Sequence, residues 1–275
     1  MCLLIVVTLY PFLYVFVASL SDSNKLLSQT GLLLFPVGFS LDAYKLVLKN
    51  PNIMTGYTNT LFIVTIGTFL NIFVTSLGAY VLSRKHVLWN TPIMFMIVFT
   101  MFFSGGLIPT YLMVYKTLHL GNSLLALILP GLISTWNLIV MRTSFAAIPE
   151  GLIESAKMDG ATDFGVLFRI VIPLSMPVIS VMILFYGVGH WNAWFGAMIY
   201  LRDRELFPLQ LILREILVSN STDSMMTNMG DADKNTIGES IKYATIMVAT
   251  LPILLVYPFL QKYFAKGVMV GAIKE

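Results

Sequence analysis

Residues 148–173 read IPEGLIESAKMDGATDFGVLFRIVIP, a polar island between two long apolar runs, and their reading decides the fold. Pro149 suits the first helical position, where a missing N–H costs little, and Glu150 and Glu154 then set negative charge near the helix N-terminus. Asp159-Gly160 ends that helix, because glycine takes a positive φ without the Cβ penalty of roughly 1–2 kcal/mol. Asp159 or Thr162 is placed to accept the orphan N–H groups of the next turn. A second helix is expected over 161–172, running to Pro173. The two arms make a short lever; the plain alternative is an amphipathic loop packed under its own bundle.

The rest of the chain is membrane-like. Of 275 residues, 57% are hydrophobic and 11% charged, well under the roughly 25% charged residues of soluble domains, and mean hydropathy is +0.82. Six stretches free of Asp, Glu, Lys and Arg, at 1–21, 50–83, 86–115, 117–141, 170–201 and 243–261, each hold the ~20 apolar residues that cross a bilayer. The expectation is an all-α polytopic membrane protein with six transmembrane helices. The shorter run 26–41 carries Gly31, Pro36 and Gly38 and is read as a loop.

Several function classes are excluded at this level. A net charge of +3, without basic clusters interleaved with aromatics, argues against nucleic acid. Cys2 is the only cysteine, so no internal disulfide or paired-cysteine metal site forms. No GxxxxGK[ST], HExxH or GxSxG occurs, and the histidines, His86, His119 and His190, are widely separated. The reading is therefore no cofactor, no metal site and no catalytic residue in this chain. The first run begins at Met1 without a basic segment or a small-residue cleavage site and is expected as a retained helix.

Spans are expected at about 3–20, 56–82, 92–112, 123–141, 176–200 and 243–263. The second carries Thr60, Gly67, Asn71, Thr75, Ser76, Gly78, Ala79 and Ser83, a stripe suited to close helix packing. The third is interrupted near Ser104-Gly105-Gly106 and Pro109, a break read as the helix ending at the interface. Arg142 is expected to snorkel from the end of the fourth. A short interfacial helix is expected at 41–48, a surface helix in FPLQLILREIL and a mobile tip in STDSMMTNMGDADKNT.

The island carries a further pattern: Glu154-Ser155-Ala156, three residues, Gly160, nine residues, then Ile170-Val171-Ile172-Pro173. It resembles the EAA loop of permease subunits in ABC importers, departing by Ser155 for the first Ala and Ile172 for Leu. The resemblance implies a MetI-like, type I importer permease fold, with 148–173 as the coupling loop seated on a cytoplasmic ATPase. Glu150, Glu154, Ser155, Ala156, Asp159, Gly160, Ile170 and Pro173 are then the ATPase-coupling candidates. Ala156 is small enough to let a partner approach closely.

The likeness extends through FYGVGHWNAWF, LRDRELFPLQLILREIL and KGVMVGAIKE. Within the family the chain most resembles the second permease subunit of carbohydrate importers, in the branch handling complex oligosaccharides of alginate type. That resemblance implies a homologous permease as heterodimer partner, two ATPase subunits that bind ATP and Mg, and an extracytoplasmic solute-binding protein. It implies 1–55 as first helix and external loop, 56–263 as transporter core with an external loop at 201–242, and 264–275 as a cytoplasmic tail reaching toward the ATPase. Family members usually carry a short cytoplasmic tail before the first helix, which puts the expected true start upstream of residue 1.

Charge alone does not orient the chain. With the island inside, eight of 17 basic residues fall on the cytoplasmic side, no bias by count, although Arg84, Lys85 and Lys262 abut helix ends. The motif decides: both termini are expected in the cytoplasm of a bacterial inner membrane.

Substrate-path candidates cluster in the fifth span: Tyr186, His190, Trp191, Asn192 and Trp194. Tyr186, His190 and Trp194 are four apart and share one face of a continuous helix. Aromatic faces suit the C–H faces of sugars, and polar neighbours suit hydroxyls; the competing reading is interhelical hydrogen bonding. Two rival functions remain. An ion-coupled secondary transporter predicts inverted repeats and a mid-membrane ion pair. A membrane enzyme acting on lipid-linked sugar wants interfacial carboxylates, for which Asp203 and Glu205 are the adjacent candidates.

Overall fold

The computed structural model describes residues 2–28, 31–218, 238–255 and 258. Among them the secondary structure is helical, apart from one isolated antiparallel bridge between Ser21 and Phe39. In chain order the helices are α1 (Cys2–Ser19), α2 (Ser23–Ser28), α3 (Asp42–Lys49), α4 (Pro51–Ser83), α5 (Asn90–Phe102) and α6 (Leu107–Thr117). They continue with α7 (Leu125–Gly131), α8 (Thr135–Ala146), α9 (Glu150–Met158), α10 (Asp163–Leu174) and α11 (Met176–Asn192). Then come α12 (Phe195–Tyr200), α13 (Leu209–Val218) and α14 (Gly238–Leu255).

Helices α4 and α14 are each long and apolar enough to cross a membrane unbroken. Three bent pairs reach that length together: α5–α6 at 112°, α7–α8 at 51° and α10–α11 at 87°. Helix α1 carries a shorter apolar stretch, 7–19. The six charge-free runs thus correspond to two straight helices, three bent pairs and α1.

Several expected boundaries are corrected. Helix α4 starts at Pro51, taking five residues from the expected loop, since proline is tolerated in a first turn. The third span does break at 103–106, but it resumes as α6 and runs to Thr117. Pro130 and Gly131 end α7, and Ser134 caps a new start for α8, its side chain accepting from the Asn137 N–H. Arg142 lies inside α8, which extends to Ala146; rather than snorkelling, its Nε donates to the Leu82 carbonyl at 2.9 Å. Helix α11 stops at Asn192, so Trp194 is not on it. Helix α14 begins at Gly238; the tip 221–236 and the tail 264–275 lie outside the described residues.

The chain divides into two compact units. One comprises Met1–Thr60, Ala193–Met198 and Arg202–Val256; the other comprises Leu61–Asn192, Ile199–Leu201 and Tyr257–Glu275. In the first, Ser19 Oγ and Tyr44 OH share a hydrogen bond of 2.7 Å, and Ser23 Oγ donates to Ser240 Oγ at 2.9 Å. Tyr57 OH donates to the Val248 carbonyl, and the Leu209 N–H to Thr60 Oγ1 at 2.9 Å. These bonds tie α1 to α3, and α2, α4, α13 and α14 to one another. The expected surface helix is α13, and it buries Leu211, Ile212 and Ile216 on one face.

In the second unit the core lies between the end of α4, α8, α9, α10 and α11, around Phe145, Met141, Leu167 and Met182. Asn71, Thr75, Ser76 and Ala79 are fully buried or nearly so. The small and polar stripe of the second span is therefore a packing surface. Elsewhere large apolar side chains face outward, as on α5, which buries no side chain and exposes Phe95 and Phe102. Apolar exposure on this scale suits lipid as solvent.

Candidate functional site

The polar island forms the expected helix–turn–helix. Pro149 is the N-cap of α9, one position earlier than expected. Asp159 is its C-cap, and Gly160 follows with φ +84°. The Gly160 N–H donates to the Lys157 carbonyl at 3.0 Å and the Ala161 N–H to the Ala156 carbonyl at 2.9 Å. Those two bonds define a Schellman motif, the glycine-dependent way to satisfy the last carbonyls of a helix. Thr162, not Asp159, caps the second arm, its Oγ1 accepting from the Gly165 N–H at 3.2 Å. Within α10, residues Leu167–Val171 form a wider π-type turn. It precedes Pro173, which has no N–H to close a regular bond on Arg169.

One face of the lever belongs to the chain's own core: Ile153, Val166, Leu167 and Val171 are buried, and Ala156 and Ala161 pack against them. Ile170 is half-buried. Glu154, Ser155, Asp159 and Pro173 are exposed. So are Met158 and Phe164, at 88% and 64%, with Leu152 also outward.

Two polar contacts strap the lever to the end of α4 and the connection after it, and a third ties its two arms together. Lys85 Nζ donates to Glu150 Oε2 at 3.0 Å, Tyr80 OH donates to Asp163 Oδ1 at 3.0 Å, and Lys157 Nζ reaches the same oxygen at 2.8 Å. The Lys85 ammonium holds the Glu150 carboxyl below its ordinary pKa of 4.5. Arg84 stacks over the Tyr80 ring, 5.0 Å from its centroid, and donates to the Phe145 carbonyl at 3.0 Å. A groove of about 440 Å³ lies here, floored by Leu77, Ile153 and Leu167 and rimmed by Lys85, Glu154 and Lys157.

The second cluster surrounds the gap between α7 and α8. Asn71 Nδ2 donates to the carbonyls of Gly131 and Leu132, both at 2.8 Å, and Asn71 Oδ1 lies 2.7 Å from His190 Nε2. Tyr186 OH accepts from the Ser134 N–H at 3.0 Å and shares a bond of 2.9 Å with Thr75 Oγ1. The backbone groups freed by the gap are thus met by α4 and α11, as a broken membrane helix requires. A cavity of about 350 Å³ beside them is lined by Gly131, Ser134, Asn137, Phe185, Tyr186 and His190.

The substrate-path candidates therefore separate. Tyr186 and Trp191 are buried in the packing of α11, at 7% and 6% exposure. His190 is hydrogen-bonded between helices and borders the cavity, and Asn192 is exposed at the helix end. Trp194 follows the break, partly exposed, with the Arg214 guanidinium 4.7 Å from its ring centroid and the Phe195 ring edge-on at 5.7 Å. Asn71, Tyr80, Lys85, Asp163 and Arg214 were not sequence candidates. Asn71 meets His190 across 119 residues, Tyr80 meets Asp163 across 83, Lys85 meets Glu150 across 65 and Arg214 meets Trp194 across 20, separations beyond any local pattern.

Residues 61–270 match the family model described as binding-protein-dependent transport system inner membrane component. The polygalacturonan/rhamnogalacturonan transport system permease protein YtcP of Bacillus subtilis is 44% identical over 265 residues, covering 96% of this chain and 92% of that one. The arabinooligosaccharides transport system permease protein AraQ of the same organism is 28% identical, over 97% of this chain and 90% of that one. A solved bacterial ABC transporter involved in the import of the acidic polysaccharide alginate matches with a TM-score of 0.86 and 30% identity, over 95% of this chain and 92% of that chain. The chain belongs to the binding-protein-dependent transport system inner membrane component family, as a permease subunit of an ABC importer and not an enzyme.

Proposed function

We propose that this permease imports an oligosaccharide released from a complex, acidic polysaccharide, and that α9–α10 is the lever through which a separate ATPase drives it. The lever's geometry carries the reading: α9, closed at Gly160, is strapped through Glu150 and Asp163 to the end of α4. It presents Glu154, Met158 and Phe164 outward. Apolar side chains on a polar loop suit a groove in a partner protein. The carbohydrate assignment draws on relatives named for polygalacturonan, rhamnogalacturonan and arabinooligosaccharides.

In the working assembly this chain pairs with a homologous permease, two ATPase subunits holding ATP and Mg, and an extracytoplasmic binding protein. The lever and both termini lie in the cytoplasm of a bacterial inner membrane. Closure of the ATPase dimer pulls Glu150–Phe168 as a rigid element, and the attached helices rock between inward and outward access. His190 and Asn192 on α11, and Trp194 beyond its end, are the accessible candidates for saccharide contact; Tyr186 and Trp191 are buried in the packing of α11.

The test is reconstitution in proteoliposomes with the candidate ATPase and binding protein, comparing wild type with Glu154→Lys and Gly160→Val. Both variants are expected to insert and assemble but to lose saccharide transport per ATP hydrolysed. Transport at the wild-type ratio would remove the coupling assignment.

A further inference from the structure

Among the described residues Arg214 has no carboxylate partner; its guanidinium lies over the indole of Trp194, 4.7 Å from guanidinium carbon to ring centroid. The arrangement is held from several directions. Arg214 is half-buried on α13, whose Leu211, Ile212 and Ile216 are anchored in the core of its unit. Trp194 is braced by the edge of Phe195. The neighbouring carboxylate, Glu215, is engaged by Arg204 at 3.1 Å, with its side chain 28% exposed.

A guanidinium held over a ring by its charge keeps N–H donors in its own plane, where a carboxylate is taken by two parallel hydrogen bonds. A cation held over indole has already lost much of the rotamer freedom that binding would otherwise cost. Trp194 remains 37% exposed, offering apolar surface beside the donors. A hexuronate matches both features: each sugar carries one carboxylate, and the ring presents an apolar C–H face. A neutral sugar matches only the second.

We infer that Arg214, seated on Trp194, binds a uronate carboxylate of the incoming saccharide and makes this permease select acidic over neutral sugars. The inference rests on the oligosaccharide-importer reading and adds to it a residue and a chemical class. Arg214 is the specificity-determining group, and Trp194 positions it.

The assembled importer in proteoliposomes, with saturating binding protein, is assayed for ATPase stimulation by trigalacturonate and by its neutral methyl ester. Comparing variants against wild type with the same binding protein cancels that protein's own preference. Arg214→Gln is expected to raise the trigalacturonate concentration for half-maximal stimulation about tenfold, the scale of a lost charge-assisted hydrogen bond. The response to the ester and the unstimulated rate are expected to stay at wild-type values. Arg214→Lys, which keeps the charge but loses the planar fork, is expected to fall between. Added salt should weaken the trigalacturonate response of wild type more than that of Arg214→Gln.

An unchanged half-maximal concentration in both variants overturns the inference, and so does an equal loss for the two saccharides, which would make the pair a structural staple. If Arg214→Gln fails to assemble, Arg214→Lys carries the comparison, and a wild-type response from it overturns the inference equally. Wild type that responds to neither saccharide would instead remove the acidic-oligosaccharide reading beneath it.

Discussion

Asn71 holds the imidazole of His190: its Oδ1 lies 2.7 Å from Nε2, while its Nδ2 donates to the carbonyls of Gly131 and Leu132. Two carbonyl acceptors fix the amide orientation, so the oxygen faces the ring and Nε2 carries a proton. One buried side chain thereby joins α4, the α7–α8 gap and α11. Asn71→Leu leaves two carbonyls and an imidazole N–H unmet and should lower stability by about 1–3 kcal/mol, the usual scale for orphaned polar groups. Asn71→Asp should do no better, since it turns a second oxygen toward two carbonyl oxygens. Thermal unfolding of the detergent-purified complex reads both; a wild-type midpoint for Asn71→Leu would contradict the network. Gly67→Ala tests the same bond from the other side, because its Cβ would come within 2.7 Å of His190 Nε2.

That network marks where sequence reading stops. The polar island, its Gly160 stop and the break around Ser104 were legible because capping residues and apolar runs are local signals. The continuous fifth span was not correctly read: 170–201 is uncharged throughout, and hydropathy does not register that the helix ends at Asn192. The face shared by Tyr186, His190 and Trp194 dissolves with that break. Likewise Glu150 and Glu154 read alike in sequence, yet Glu150 is strapped to Lys85, 65 residues away, while Glu154 lines the groove. Tertiary pairing at such separations leaves no periodic trace.

Gly160 separates conformational from steric effects. A Cβ there meets nothing within 4 Å, but the φ of +84° disfavours L side chains. Gly160→Ala should therefore cost about 1–2 kcal/mol from the backbone alone. Gly160→Val should cost more, because a β-branched side chain is stiffer, whereas Gly160→Asn should recover part of the loss. Denaturation midpoints in that order, Asn above Ala above Val, check the assignment of the turn. Coupling of ATP hydrolysis to transport should fall in the same order.

The Lys85–Glu150 strap predicts a pH response with a definite sign. Because the Glu150 carboxyl is held below 4.5 by the Lys85 ammonium, the pair contributes fully above that value and is lost as pH falls through the lowered pKa. The gap in melting midpoint between wild type and Glu150→Gln should therefore be level above about pH 6 and close in acid. A gap that widened on acidification would have the wrong sign. The charge swap Lys85→Glu with Glu150→Lys should restore coupling that either single change weakens.

Tyr186 gives the sharpest test of whether the fifth-span aromatics act on substrate or on the fold. Its hydroxyl accepts from the Ser134 N–H at 3.0 Å and bonds to Thr75 Oγ1, so Tyr186→Phe removes one oxygen and leaves the ring in place. The Ser134 N–H, at the start of α8, would then lose its partner. About 1–3 kcal/mol of stability should go with it. The saccharide concentration for half-maximal ATPase stimulation should stay at the wild-type value, because the ring still fills its buried position. If Tyr186→Phe instead melts like wild type and needs more saccharide, the hydroxyl contacts the sugar and the packing role assigned to it is wrong.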